Sequence, residues 1–531
     1  MAKRPFLKNL LINLYNNNTM RKFLFTILSL ITLGATAQPK IAINIVIGGM
    51  KASDIARYAD NFSDDGFKRL TRDGAIFTEC YTDFIPTSDY TALATLATGA
   101  LPSMHGISAT KWYDRADKNR VVELCRNEKG ELTTEHFSAQ TLAGSVTDSQ
   151  RGAKSITIAH NPLSAMMLAG DSAECYWINE RGDWQSIPSY SKVLPAWVTA
   201  HNNIGFNRIF VMDTWFGKLS KSKYHNSHAT DIAVYDIYAK NKNTNSKKET
   251  LGWASKLHIT PAGNGALFDF AKQAVDQLLT DKDTKGIKCL NICIDVSRNI
   301  IERYGFDSIE YEDMLYCLDT TIAEFLAHLE KRELKSSDFL LTITSDHGSG
   351  KATRSTFNPH QAEVILNAFL SAKYGQGDWV LSCHQGSIYL NRDLIYSKKL
   401  SLDDVQSEAA TFAVQFRGVA SAVTATALQS GAMPDGVMKM MQKGFYPRRS
   451  GDIIYTLMPD YSEDDDDKGI FIGSPYNYDC HVPLIFYGGN IASTAVSRKI
   501  STTAIAPTIA AILGVEKPDC SEGEVLSEVI Y

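Results

Sequence analysis

Surplus positive charge is missing from this 531-residue chain: 54 Lys and Arg face 59 Asp and Glu, a net charge of −5. Nucleic-acid backbones are gripped by clustered cations, so this balance excludes DNA and RNA as partners. Long hydrophobic runs are missing too. The most apolar stretch, Phe23 to Leu33, falls well short of the ~20 residues that cross a bilayer. The nine cysteines are odd in number and form no CxxC zinc pattern, and no disulfide framework is expected from them. Repeats and coiled-coil patterning are absent. With 44% hydrophobic and 21% charged residues, the chain is also no disordered polymer.

What is present begins at the N-terminus. Residues 1–37 carry Lys3, Arg4, Lys8, Arg21 and Lys22 and no acid, and Met20-Arg21-Lys22 leads into the apolar run and then Ala35-Thr36-Ala37. Basic start, short apolar core and small-residue cleavage site are the parts of a secretory signal peptide, with Met20 an alternative start. Its removal would leave 49 basic residues against 59 acidic ones, a net charge of −10. The expected product is exported, periplasmic or extracellular, with no stable membrane span. No lipidation Cys follows the cleavage site.

Four predominantly apolar runs, Ile41 to Ile47, Cys289 to Ile294, Phe339 to Thr344 and Val482 to Phe486, have the pattern of strands buried on both faces. Cys289 and Cys293 fall inside one of them as small hydrophobes. Between the runs, Gly66 to Arg72, Ala266 to Leu279 and Tyr311 to Leu334 have the periodicity of amphipathic helices. This predicts an α/β fold, a central mostly parallel sheet with helices on both faces. After residue 37 we expect a single domain, 38–531, with 112–262 and 352–470 mainly cap insertions. In such sheets ligands bind beyond the carboxyl ends of the strands. Those ends carry Gly48-Gly49-Met50, Asp295 with Asn299, and Ser345-Asp346-His347-Gly348; Asp479-Cys480-His481 precedes the last run. Carboxylate oxygens and neutral imidazoles are the donors that divalent metals such as zinc prefer.

That order, with the phrases Gly66-Phe67-Lys68-Arg69-Leu70, Pro86-Thr87 followed by Thr98-Gly99, Trp112-Tyr113-Asp114-Arg115, Tyr389-Leu390-Asn391-Arg392, Arg449-Ser450-Gly451-Asp452 and Gly473-Ser474-Pro475-Tyr476, resembles the alkaline phosphatase superfamily. The likeness is strongest to its secreted bacterial monoesterases and their nucleotide pyrophosphatase/phosphodiesterase relatives. The resemblance implies two zinc ions that polarise a phosphoryl group and activate a hydroxyl nucleophile. It implies metal ligands at Asp295, Asp346, His347 and His481.

Gly48 stands where a ligand Asp belongs, and Asn299 where a ligand His belongs. Asp89 occupies the nucleophile position, flanked by Thr87 and Thr91, and Leu93 replaces a nearby His. Thr110 stands where phosphatase relatives place an Asn that grips substrate, with Asn161 and Leu163 where monoesterases use Lys and Arg. Losing even a residue that orients a ligand costs about 10 to 100-fold in metal affinity or activity. The expectation is therefore a relative of phosphate mono- and diester hydrolases with lost or greatly reduced two-zinc activity, holding zinc or another divalent metal as one ion or none. Two alternatives stay open: an active hydrolase with Asp89 as metal ligand or nucleophile, and a non-catalytic protein that binds a phosphorylated small molecule or docks an envelope protein.

Overall fold

Continuous apolar runs become the centre of the molecule, as their lack of alternation requires. The computed structural model describes residues 38–530 apart from 118–119, 212–214, 227–252, 281–285, 351–354 and 464–472. The signal-peptide segment, His228 and the acidic run Asp464 to Asp467 lie outside the described residues. Pro39–Ile530 pack as one unit.

The main sheet contains β1 (Ile41–Ile47), β2 (Ala75–Tyr81), β3 (Lys154–Ala159), β4 (Glu174–Ile178) and β5 (Trp184–Gln185). It continues with β6 (Lys288–Ile294), β7 (Phe339–Thr344), β8 (His481–Gly488), β9 (Thr494–Val496) and β10 (Ile500–Ser501). Their spatial order is β9-β2-β8-β7-β1-β6-β3-β4-β5, with β10 also beside β2. Pairing of β1 with β6 and β7, and of β3 with β4 and β6, is parallel. The expected mostly parallel sheet is present, with two departures: the short edge strand β5 runs antiparallel to β4, and β8 runs antiparallel to both β7 and β2. Its start therefore lies at the same edge as the ends of β1, β6 and β7.

Alternate residues of β1 enter opposite layers: Ile41, Ile43, Ile45 and Ile47 join one core, and Ala42 and Val46 the other. The first core is closed by the helices Pro261–Thr280 and Ile309–Lys331. The second is closed by α1 (Asp89–Thr98), α2 (Pro162–Ala169) and Ile505–Leu513. Ile309–Lys331 stops short of the expected Leu334 because Glu333 adopts a left-handed φ of 59°; its start is fixed by Ser308, whose Oγ accepts the Tyr311 amide at 3.1 Å.

Residues 112–262 are not all cap. Lys154–Ala159 and Glu174–Ile178 extend the central sheet, the first pairing in parallel with β6 and the second with β3. Within 355–463 a layer is built around a second, four-stranded sheet, Val380–His384, Ser387–Leu390, Ile453–Leu457 and Val419–Thr424. That layer is held by the buried carboxylate of Asp452. It accepts Arg392 Nε at 2.7 Å, Gln406 Nε2 at 3.1 Å and the Leu390 amide at 2.9 Å, with Arg115 Nη2 at 3.5 Å. Three of the phrases that carried the resemblance thus meet at one ion-pair hub. All nine cysteines are free thiols, and Cys289 and Cys293 are fully buried in β6.

Candidate active site

The sheet edge gathers four of the expected residues. Asp346 and His347 follow β7, Asp295 follows β6 as the first residue of α3 (Asp295–Tyr304), and Asp89 opens α1. Asp89, Asp346 and His347 each offer a ligand atom, all within 4.8 Å of one another. At their centre lies a side chain that sequence reasoning passed over: Arg298, one turn into α3 and only 5% exposed.

The guanidinium of Arg298 meets three carboxylates. Nη1 donates to Asp295 Oδ1 at 2.9 Å, Nη2 to Asp346 Oδ2, and Nε lies 3.0 Å from Asp89 Oδ2. Burial works against its charge, but Asp89, Asp346 and Asp295 outweigh burial and hold it protonated well above the ordinary arginine range. Burial alone would likewise raise Asp89; Arg298 and His347 reverse that and hold its carboxyl below the usual range.

The remaining lone pairs are occupied as well. Asp295 Oδ2 accepts the amides of His160 and Asn161 at 3.1 and 2.9 Å at the start of α2, and Oδ1 accepts Ser164 Oγ at 2.6 Å. Asp346 Oδ1 accepts the amides of Gly49 at 2.9 Å and His347 at 2.8 Å. Both ring nitrogens of His347 face acceptors: Nδ1 lies 2.6 Å from the Gly348 carbonyl oxygen and Nε2 2.8 Å from Asp89 Oδ1. Neither a carbonyl nor an ionised carboxylate donates, so both nitrogens carry protons and the ring is an imidazolium. Burial opposes that charge, yet Asp346 and Asp89 lift its pKa to about 9. A histidine that ligates a metal must instead be neutral, with one free nitrogen. Asp89, Asp346 and His347 would have to release Arg298 and each other before they could hold an ion.

Gly48 explains how the guanidinium fits. A Cβ at this position would lie 3.1 Å from Arg298 Nη2, 3.3 Å from Arg298 Cβ and 3.2 Å from the Ile294 carbonyl oxygen. The glycine supplies space, not a special backbone angle.

Other expected residues are elsewhere. His481, expected as a metal ligand, is not brought to the cluster: at the start of β8 its ring stacks on Tyr81 at 4.5 Å, and Nε2 donates to the Thr78 carbonyl at 2.7 Å. Strand alternation carries it away, while Asp479, two residues earlier, is buried beside His347, and burial raises its carboxyl to about 6. Asn299 Nδ2 donates to the His258 carbonyl at 2.8 Å. The two positions expected to grip substrate are engaged. Thr110 Oγ1 donates to Gln385 Oε1 at 3.0 Å, and Asn161 Oδ1 caps α2 by accepting the Leu163 amide at 2.8 Å. Thr87 Oγ1 donates to the Phe84 carbonyl at 2.9 Å, and Thr91 Oγ1 pairs with Ser88 Oγ at 2.7 Å. The signal that could have exposed Arg298 is its spacing: a cation three residues after Asp295 on a helix faces the same way.

A second buried histidine below the site gives a pH prediction. His105 Nδ1 accepts the Ile107 amide at 3.1 Å, which leaves Nε2 as the protonated nitrogen facing Thr95 Oγ1 at 3.0 Å. Burial, aided by the charge of Arg449, lowers its pKa to about 3. With the folded value below the unfolded one of about 6.5, its stabilising effect is complete above that pH and declines as the medium is acidified toward the folded value. Denaturant titration should show stability falling by about 1.4 kcal/mol per pH unit from this group below pH 6.5. The slope should be correspondingly shallower in His105→Gln.

A family model described as type I phosphodiesterase / nucleotide pyrophosphatase matches residues 42–470. Among curated proteins, the chain is 28% identical to a "calcium-transporting ATPase" of Myroides odoratus, covering 93% of this chain and 95% of that one. It is 24% identical to alkaline phosphatase PafA of Elizabethkingia meningoseptica, at the same coverages. The crystal structure of wild-type PafA superposes with a TM-score of 0.82 at 23% identity, over 94% of this chain and 100% of that one, a likeness of fold. Among the described residues no helix is long and apolar enough to cross a membrane.

Proposed function

The chain belongs to the type I phosphodiesterase / nucleotide pyrophosphatase family, and from that membership we propose that it keeps the scaffold of an alkaline-phosphatase-superfamily hydrolase while its two-metal phosphatase chemistry is lost or greatly reduced. One observation carries this reading: the Arg298 guanidinium bonds to or pairs with Asp89, Asp295 and Asp346 together, supplying from within the chain the positive charge those carboxylates need. Gly48 and Asn299 at two ligand positions, and His481 turned away, support it. The alternatives in which Asp89 serves as metal ligand or nucleophile are disfavoured because Oδ1 is bound by His347 and Oδ2 is paired with Arg298. An exported single domain, 38–531, with the layer over the sheet as its cap, fits the N-terminal sequence. A periplasmic or extracellular place follows, and a phosphorylated ligand or envelope protein is the partner class.

The test pairs metal analysis of the purified chain with phosphomonoester and phosphodiester assays in added zinc. Turnover at least about 100-fold below an intact relative is expected, from the scale on which lost ligands act, with no stoichiometric zinc. Zinc-dependent turnover at the relative's rate, abolished by Asp346→Ala, would overturn the reading.

A further inference from the structure

A second cavity, of about 880 Å³, opens between the hairpin Lys111–Asp114/Arg120–Glu123 and the segment Pro447 to Arg449. It shares no residue with the Arg298 cluster. Its lining is unusual for so acidic a chain: seven cations and three carboxylates.

Most of the carboxylate charge is already committed. Glu128 lies 3.4 Å from Arg120, which also binds Asp117 at 2.7 Å. Arg115 and Arg392 share the single carboxylate of Asp452. Arg449 is held rigidly but without neutralisation: its Nη1 donates to the Gly106 carbonyl at 2.9 Å, its Nη2 to the His136 carbonyl at 3.1 Å, and its guanidinium lies 4.7 Å from the Trp112 ring. Carbonyl acceptors orient a guanidinium and leave its full charge to act on a ligand. Arg448 and Lys129 are exposed at the rim, and among the described residues neither they nor Arg449 has a carboxylate within ion-pair distance. His136 adds no charge of its own, because its Nδ1 accepts the Cys125 amide at 2.9 Å and the ring is therefore neutral. Burial, first, and then neighbouring Arg448 lower the pKa of Arg449, the signature of an unpaired charge against a low-dielectric wall.

We propose that this cleft is a binding site for a small polyanion bearing two or more phosphate or sulfate groups, with Arg449 as the fixed contact and Arg448 and Lys129 as the rim cations. Planar guanidinium groups suit the tetrahedral oxyanions of both, and charge-assisted hydrogen bonds to them are the strong class.

Calorimetry on the full chain, with tripolyphosphate in one arm and a trisulfated disaccharide in the other, tests this and tells the two sources apart. One-to-one binding of at least one of them is expected, weakening as salt is raised. Affinity should fall about 10-fold in Arg449→Gln and at least as much in the double variant Lys129→Ala/Arg448→Ala, on the scale of one to two charge-assisted contacts. Both rim side chains are exposed, so unchanged unfolding midpoints in the double variant show that the loss is local. Failure of both probes to saturate, or equal affinity in the rim variant, would overturn the proposal.

Discussion

Arg298→Ala is expected to cost about 3–5 kcal/mol of folding stability, because removing one partner of a buried ion-pair network leaves the others charged and unpaired. Here three carboxylates would be stranded at once, two of them, Asp295 and Asp346, almost wholly inaccessible. Arg298→Lys should recover little, since a point-charge ammonium cannot reach Asp89, Asp295 and Asp346 in the way a planar fork does. The same substitution carries a second readout. Once the guanidinium is gone, the vacated acidic pocket gains affinity for divalent cations, and zinc should raise the unfolding midpoint of Arg298→Ala while leaving wild type unmoved. Denaturant unfolding with and without zinc measures both. A variant as stable as wild type, or a wild type stabilised equally by zinc, would mean that the guanidinium is not the cation of this site.

Gly48→Val is the steric counterpart. Its Cβ would sit 3.1 Å from Arg298 Nη2 and 3.2 Å from the Ile294 carbonyl oxygen, closer than an ordinary van der Waals contact. Overpacking of this kind costs about 1–3 kcal/mol. In the Arg298→Ala background the guanidinium contact is gone while the Ile294 carbonyl and the Cβ at 298 stay, so part of the cost, about 1 kcal/mol, should disappear, a coupling that a double-mutant cycle reads directly. Additive effects would show that glycine at 48 and arginine at 298 do not depend on each other. Their dependence makes the site hard to revert: an acid at 48 lacks room while Arg298 is present, and Arg298 lacks a substitute charge unless metal ligands return together.

Local physics made a large part of this legible beforehand. The predominantly apolar runs at 41–47 and 339–344 are the observed strands to the residue, because double-sided burial leaves no regular polar alternation to blur their ends. The run at 482–486 was legible as a strand, but its antiparallel direction depends on which neighbours it finds. The strands at 154–159 and 174–178 escaped notice because each is short and flanked by polar segments. Asp295, Asp346 and His347 converge where strand-end topology placed them, joined by Asp89, which the resemblance alone had pointed to, whereas His481 does not. Chain order brings a residue to the sheet edge, but strand alternation decides which way it points.

By itself, then, the sequence determined the fold class and the sheet edge on which its Asp and His residues gather, since these follow from periodicity and topology. Only the tertiary structure decided what lies among them. An arginine between a serine and an asparagine is unremarkable in one dimension. It becomes the counter-charge of three carboxylates only because α1 begins where β6 and β7 end, and a missing Cβ at residue 48 leaves the guanidinium room to lie between them.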